Sequence, residues 1–248
     1  MGSFGIDISK WNIKDNVTPI WEKVKGVCEF IAIRSGVSWG YTDNWFIHNW
    51  TNAKGMPRMA YHVIYFGEDP FKQMDSMFKI VTPADWNHDR LVLDLEVHGN
   101  NSKEKITATT SKCMQIIEQR TGRFPILYSR ASWVNQYLNV LDIPRADWWL
   151  AQYKYALPYP LYTPEAQSPP MLPKNVNTWL IHQTGEKYSG KEVGVSSYYV
   201  DSNRWNGFSE SVKSYFNYTE NEEPETQEIT LQDLIEMHST DISKHPTI

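Results

Sequence analysis

Cysteine is scarce in this chain of 248 residues, with only Cys28 and Cys113 present. Two thiols so far apart supply neither a disulfide framework nor a cysteine-based metal site. Cys28 opens an apolar run and Cys113 falls in a helical pattern, so both are expected to be buried and free. A basic stripe is also missing. The balance of 24 Lys and Arg against 29 Asp and Glu gives a net charge of −5, which argues against a nucleic-acid groove. No apolar run is long enough to cross a bilayer, so membrane insertion is not expected. The opening residues, Met1-Gly2-Ser3-Phe4-Gly5-Ile6-Asp7, lack the basic and apolar regions of a signal peptide. Ile6 breaks the myristoylation pattern. There is no Gly-x-Ser-x-Gly elbow, no glycine-rich phosphate or dinucleotide loop, and no His-Glu-x-x-His pair. His62, His98 and His182 are available as ligands, but their spacing suggests no metal site. No cofactor is expected.

Aromatic residues, by contrast, are abundant: 11 Trp and 14 Tyr. Such rings stack on sugars and also fill cores. The most informative stretch is Leu91-Val92-Leu93-Asp94-Leu95-Glu96, an apolar strand pattern that ends in two acids. On a strand, residues two apart face one side, and a rise of about 3.3 Å per residue puts Asp94 and Glu96 roughly 6 to 7 Å apart at their Cα atoms. Two carboxylates at that spacing suit the cleavage of a glycosidic bond. A strand simply reaching solvent is the structural alternative.

Strand patterns are expected at 4–8, 30–34, 59–65, 91–96, 124–129, 148–153, 179–183 and 198–201. Helical patterns fall at 19–25, 43–54, 70–81, 103–121 and 131–139. Asp69 and Pro70 suit the start of the third helix, and Gly122 suits the end of the fourth. Five strand–helix units followed by three strands predict an α/β fold, an irregular (β/α)5(β)3 TIM-like barrel. Residues 1–217 form the expected barrel domain. The proline-dense stretch 154–177 reads as a wrapped surface loop. Residues 218–248 form the expected acidic linker and tail, with Glu220, Glu222, Glu223, Glu225 and Glu228 clustered. A weak amphipathic pattern at 230–237 marks a short helix or docking segment.

Barrel chemistry gathers at the C-terminal strand ends. Those ends offer Asp7, Arg34, Tyr61, Asp94 with Glu96, Tyr128, Gln152 with Tyr153, Gln183, and Asp201 with Asn203. Singly, Asp7 and Asp201 are as good turn residues as site residues. Their recurrence with Asp94 and Glu96 at one end of several strands points to a shared cleft. Clustered acids raise one another's pKa, so that one stays protonated as a general acid while others stay ionised.

Gly5-Ile6-Asp7-Ile8-Ser9-Lys10-Trp11, Ala60-Tyr61-His62, Leu93-Asp94-Leu95-Glu96, Trp149-Leu150-Ala151-Gln152-Tyr153, Trp179-Leu180-Ile181-His182-Gln183 and Val200-Asp201-Ser202-Asn203 together resemble glycoside hydrolase family 25, the N-acetylmuramidases or lysozymes of phage endolysins and autolysins. The motifs lie in family order and cover residues 4 to 208. The resemblance implies hydrolysis of the β-1,4 bond between N-acetylmuramic acid and N-acetylglucosamine in bacterial peptidoglycan. It implies Glu96 as general acid and Asp94 as its partner, orienting the 2-acetamido group or stabilising positive charge. Asp7 and Asp201 match the two further acids of the site. Tyr61 would line the site, and Tyr128, Gln152, Tyr153 and Gln183 are expected as further substrate contacts. Net retention through the substrate's acetamido group is the expected stereochemistry. His182-Gln183-Thr184 departs from the Gln-Tyr-Ser more usual in the family. A C-terminal extension there often leads to a wall-binding module, and none is recognisable in this sequence. Without a signal peptide, the expected location is the host cytoplasm until lysis, or export by another route, with action at the wall. Two other readings remain open: a catalytically silent wall-binding barrel, and a hydrolase of another N-acetylhexosamine polymer such as chitin.

Overall fold

A computed structural model describes residues 3–153 and 169–218 of the chain. Its core is a closed mixed β-barrel with helices around it. The strands are β1 (Phe4–Ile8), β2 (Phe30–Val37), β3 (Tyr41–Thr42), β4 (Arg58–Val63), β5 (Arg90–Asp94), β6 (Ile126–Ser129), β7 (Trp148–Ala151), β8 (Ile181–Ser189) and β9 (Tyr199–Trp205). The helices are α1 (Trp21–Val27), α2 (Phe46–Asn52), α3 (Pro70–Ile80), α4 (Lys103–Thr121), α5 (Ala131–Tyr137), α6 (Gly190–Val193) and α7 (Ser209–Tyr215). Neighbouring strands run β1-β9-β8-β7-β6-β5-β4-β2-β3, and pairing of β1 with β2 closes the ring. β3 forms only a short antiparallel edge on β2.

The strand–helix units pair in parallel, as their alternation implies, but the last strand differs. β9 runs antiparallel to both β8 and β1. β8 is longer than the expected 179–183, and only nine residues separate its end from β9. A parallel crossover needs about a dozen residues or more, so this link returns as a hairpin. The two-residue β3 and the helix α7 were not expected either. α2 begins at Phe46 rather than at 43, because Asp43 turns its side chain inward and caps Trp45 N instead (3.1 Å).

Two apolar layers result from strand alternation. Ile6, Ile31, Ile33, Leu93, Leu127 and Leu150 face outward and pack against helix residues such as Met74, Met77, Ile106, Cys113, Ile117 and Val134. Phe30, Met59, Val92, Ile126, Trp149, Ile181 and Trp205 fill the barrel interior. Val212 of α7 and the adjacent Phe216 join that inner cluster and close the lower end. Helix ends follow local chemistry. Asp69 accepts from Phe71 N at 2.8 Å ahead of Pro70. Ser102 accepts from Lys105 N to start α4, and Gly122, at φ 74°, ends it in the left-handed region.

Both cysteines are free and buried. Burial pushes each thiol up to about 12. One compact unit spans Met1–Tyr218. The expected acidic tail, its segment at 230–237, and most of the proline-dense loop lie outside the described residues. Among the described residues, no helix is long and apolar enough to cross a membrane.

Candidate active site

The interior of the barrel changes from apolar to polar near one rim. On β1, Asp7 follows the inward-facing Gly5, and on β5 Asp94 follows the inward-facing Val92. β5 ends at Asp94 and not at Glu96 as expected. The reason is partner length: β4 pairs only as far as Val63 opposite Asp94, and β6 as far as Tyr128. Leu95 N still reaches Tyr128 O (2.9 Å), and Glu96 emerges just beyond, exposed at the rim.

Asp201 reaches the same rim by another route. In an all-parallel barrel it would mark a C-terminal strand end. Because β9 is reversed, Asp201 instead lies near its start, directly opposite Asp7 in the register. Asn203, two residues along, faces the same interior one layer deeper.

Gln183 organises this region. Its Nε2 donates to Asp7 Oδ2 at 2.8 Å. Its Oε1 accepts from the Tyr128 hydroxyl at 2.7 Å and from the Tyr153 hydroxyl at 2.8 Å. Two donors on one amide oxygen leave a single sensible orientation for the amide. Asn203 Nδ2 also donates to Asp7 Oδ2 (2.8 Å), while its Oδ1 accepts from Trp149 Nε1 (2.8 Å). Trp149 forms the floor, edge-on to Tyr128 and Tyr61 with ring centres 4.7 and 6.3 Å away.

Arg34 supplies the nearby positive charge. Its Nε donates to Asp43 Oδ2 at 2.9 Å. Nη2 lies 2.8 Å from the same oxygen but off the hydrogen-bond direction. Asp43 also accepts from Lys10 N (3.0 Å), tying the loop after β1 to β2. Asp94 is buried, and its Oδ1 has no hydrogen-bond partner among the described residues. Burying an acceptor without a partner is costly, and such an atom is free to receive a donor from a ligand.

All four acids lie above their usual pKa range. Asp94 is pushed well up by burial and by the charges of Glu96 and Asp7, against the pull of Arg34. Asp201 is pushed up to about 9 by burial and by Asp7 beside it. Burial raises Asp7 as well, while hydrogen bonds from Asn203, Gln183 and Asp201 oppose the rise. Glu96 is raised by partial loss of hydration, with Arg130 pulling it down and Asp7 pushing it up. Asp201, at about 9, keeps its proton at neutral pH, and the neighbouring acids titrate together rather than singly. Glu96 is the acid on the water-facing side.

Gln152 does not join this cluster. Its Oε1 accepts from Met171 N (2.6 Å), so the side chain turns toward a neighbouring pocket at the rim. The histidines do structural work. His62 bonds Ser35 Oγ at 2.9 Å, and burial lowers it to about 4, leaving it neutral. His182 Nε2 donates to Gln152 O (2.8 Å), and its Nδ1 accepts from Arg204 Nε (3.1 Å). His98 stacks on Tyr137 with centres 4.4 Å apart. Trp149, Asn203, Arg34 and Arg130 were not among the expected contact residues. Arg34 and Asn203 occupy strand ends already marked as polar; Trp149 carries no such mark.

A raised, water-facing acid beside a buried carboxyl with an open oxygen, walled by aromatic rings, is an arrangement suited to glycosidic cleavage. The model of Glycosyl hydrolases family 25 matches residues 6–193. The chain belongs to glycosyl hydrolase family 25. Membership makes it a glycoside hydrolase. Similar structures include the bacterial lysozyme of Streptomyces coelicolor, with a TM-score of 0.70, 24% identity, and coverage of 88% of this chain and 99% of that one. A muramidase from Acremonium alcalophilum gives a TM-score of 0.68 at 19% identity, covering 88% and 100%. At these identities the likeness is one of fold. Among curated proteins, the uncharacterized protein YegX of Escherichia coli is 28% identical over 160 residues, 60% of this chain. That match spans 56% of YegX, just over half its length.

Proposed function

We propose that this family 25 hydrolase is a muramidase, cutting the β-1,4 bond between N-acetylmuramic acid and N-acetylglucosamine in bacterial peptidoglycan. The observation that carries this reading is the division of labour between Glu96 and Asp94. Glu96 is raised and faces water, so it can hold a proton and exchange it. Asp94 is buried beside it with one oxygen unoccupied. The printed activities of the similar structures, lysozyme and muramidase, agree with the reading.

In the proposed reaction Glu96 gives its proton to the glycosidic oxygen as the bond to C1 breaks. The carbonyl oxygen of the substrate's own 2-acetamido group bonds to C1 and forms a cyclic cation. Asp94, as a carboxylate, accepts a hydrogen bond from the acetamido N–H and stabilises the positive charge. Glu96, now a carboxylate, takes a proton from water as that water bonds to C1 and the ring opens. Two displacements give net retention. Asp7, held by Gln183 and Asn203, adds to the field that favours the cation, and the protonated Asp201 supports it from the facing strand. Tyr61, Tyr128 and Tyr153 wall the sugar site, and Gln152 contacts substrate from the rim pocket. The proposed site of action is the bacterial wall.

Glu96→Gln keeps the shape and removes the transferable proton. Lysis of purified walls should fall by about three orders of magnitude, within the range for loss of a general acid, while binding to walls persists. Full clearing of wall suspensions by this variant would overturn the assignment of Glu96. Binding without lysis by the native protein would favour a silent wall-binding barrel.

A further inference from the structure

Beside the acidic cluster, the barrel mouth carries a pocket of opposite character. It encloses about 300 Å³ between the ends of β6 and β7. Arg130, Ser132, Gln152, Tyr153 and Met171 line it, and no acid is among the described lining residues. The Arg130 guanidinium lies 5.6 Å from the centre of the Tyr153 ring. That ring anchors the cation without using its N–H groups, and the guanidinium makes no hydrogen bond or ion pair among the described residues. Gln152 has committed its Oε1 to Met171 N, which leaves its Nε2 hydrogens free. The Ser132 hydroxyl adds another donor. The pocket is thus rich in donors, carries one full positive charge, and joins the wall of the cleft through Tyr153, whose hydroxyl reaches Gln183.

The neighbouring carboxylates give this pocket a purpose. A carboxylate brought by the substrate adds negative charge beside acids that already resist ionising, and a nearby cation offsets that cost. Arginine is well suited, since its planar fork meets a carboxylate with two parallel hydrogen bonds. A neutral N-acetylhexosamine polymer has no such group. Muramic acid carries a lactyl side arm, which ends in a carboxylate when free and in an amide when a stem peptide is attached. The stem peptide then supplies carboxylates of its own.

We propose that Arg130 and its pocket receive a carboxylate of the substrate, and so help distinguish an anionic wall glycan from a neutral one. This inference rests on the muramidase reading above. Arg130 is a specificity-determining residue in it, not a proton carrier.

The test is binding in the Glu96→Gln background by calorimetry. One pair of ligands is a muramic-acid-containing tetrasaccharide with free lactyl carboxylates and the same compound as carboxamides. A second pair carries stem peptides with free or amidated carboxyls. The acid form of one pair should bind about tenfold tighter than its neutral form, as a partly exposed charge-assisted contact permits, and the preference should shrink with added salt. A preference in the first pair identifies the lactyl carboxylate, and one in the second identifies the peptide. Arg130→Met should abolish the preference, and Arg130→Lys should restore part of it. An unchanged acid-to-amide ratio in Arg130→Met overturns the inference. So does equal weakening of acidic and neutral ligands, which marks Arg130 as packing only. Failure to bind any of the glycans, with no wall lysis by the native protein, overturns the muramidase reading and the inference with it.

Discussion

Gln183 Nε2 donates to Asp7 Oδ2 at 2.8 Å, joining the eighth strand of the chain to the first across the barrel interior. The same side chain receives the hydroxyls of Tyr128 and Tyr153 on its oxygen. One amide therefore sets the position of an acid and of two rings in the proposed sugar site. Gln183→Leu leaves Asp7 with one donor fewer, strands the buried Tyr128 phenol and releases that of the exposed Tyr153. It should cost about 2–4 kcal/mol of stability, the scale for disrupting a buried polar network, and lower kcat by at least about tenfold. Urea unfolding and steady-state rates on the same preparation check both. Unchanged stability and rate would show that the network is ornamental.

Asp201 makes a pH signature. Its folded pKa of about 9 lies above the unfolded carboxylate value, so the folded state holds a proton that the unfolded state has lost. Stability should therefore fall as pH rises from about 4 toward 9, by at most about 1.4 kcal/mol per pH unit for one proton. Asp201→Asn imitates the protonated form and should flatten that slope. Denaturant midpoints at pH 5 and pH 8 give the comparison. A variant slope equal to the native one would mean that Asp201 is ionised in the folded protein.

Arg34 opposes the rise of the Asp94 pKa. Without that cation, Asp94 should ionise only at higher pH, and the acid limb of the pH–rate profile should move upward. Arg34→Met also leaves Asp43 buried without its partner, a loss of about 3–5 kcal/mol. The double variant Arg34→Met/Asp43→Asn removes that penalty. If the double variant folds well and its acid limb is unmoved, Arg34 has only a structural role.

Arg130 acts in the same sense on Glu96 from its own position at the rim. Arg130→Met should raise the Glu96 pKa, so the basic limb of the profile, where the acid loses its proton, should shift to higher pH. Rates measured from pH 5 to pH 9 on peptide-free glycan strands decide this. A shift to lower pH would contradict the placement of Arg130 beside Glu96.

Much of the fold is legible in the sequence because local chemistry and pattern agree. Asp69-Pro70 and Ser102 open their helices, Gly122 closes one, and apolar runs at 4–8 and 148–151 form strands. The direction of β9 is not legible. β8 continues through Gly185, Glu186 and Lys187, of which the two charged residues are exposed. That stretch reads as a loop, so the connection to β9 looks long enough for a crossover. α7 is obscured because its buried side holds little more than Val212 and the adjacent Phe216. At the site, Asp7, Asp94, Glu96 and Asp201 are marked by acids standing at strand ends. The partnerships are not: Arg34 with Asp43, Trp149 with Asn203, and Gln183 with three groups at once depend on which strands meet across the ring. Gln152, placed by strand position alone, turns to Met171, because β7 ends at Ala151.

The most direct test of the proposed function is mass spectrometry of the new reducing ends after purified peptidoglycan is digested and the products are reduced with borohydride. The account predicts reduced muramic acid at every new end, with no new ends from Glu96→Gln. Reduced N-acetylglucosamine at the new ends, or no new ends from the native protein, would contradict it.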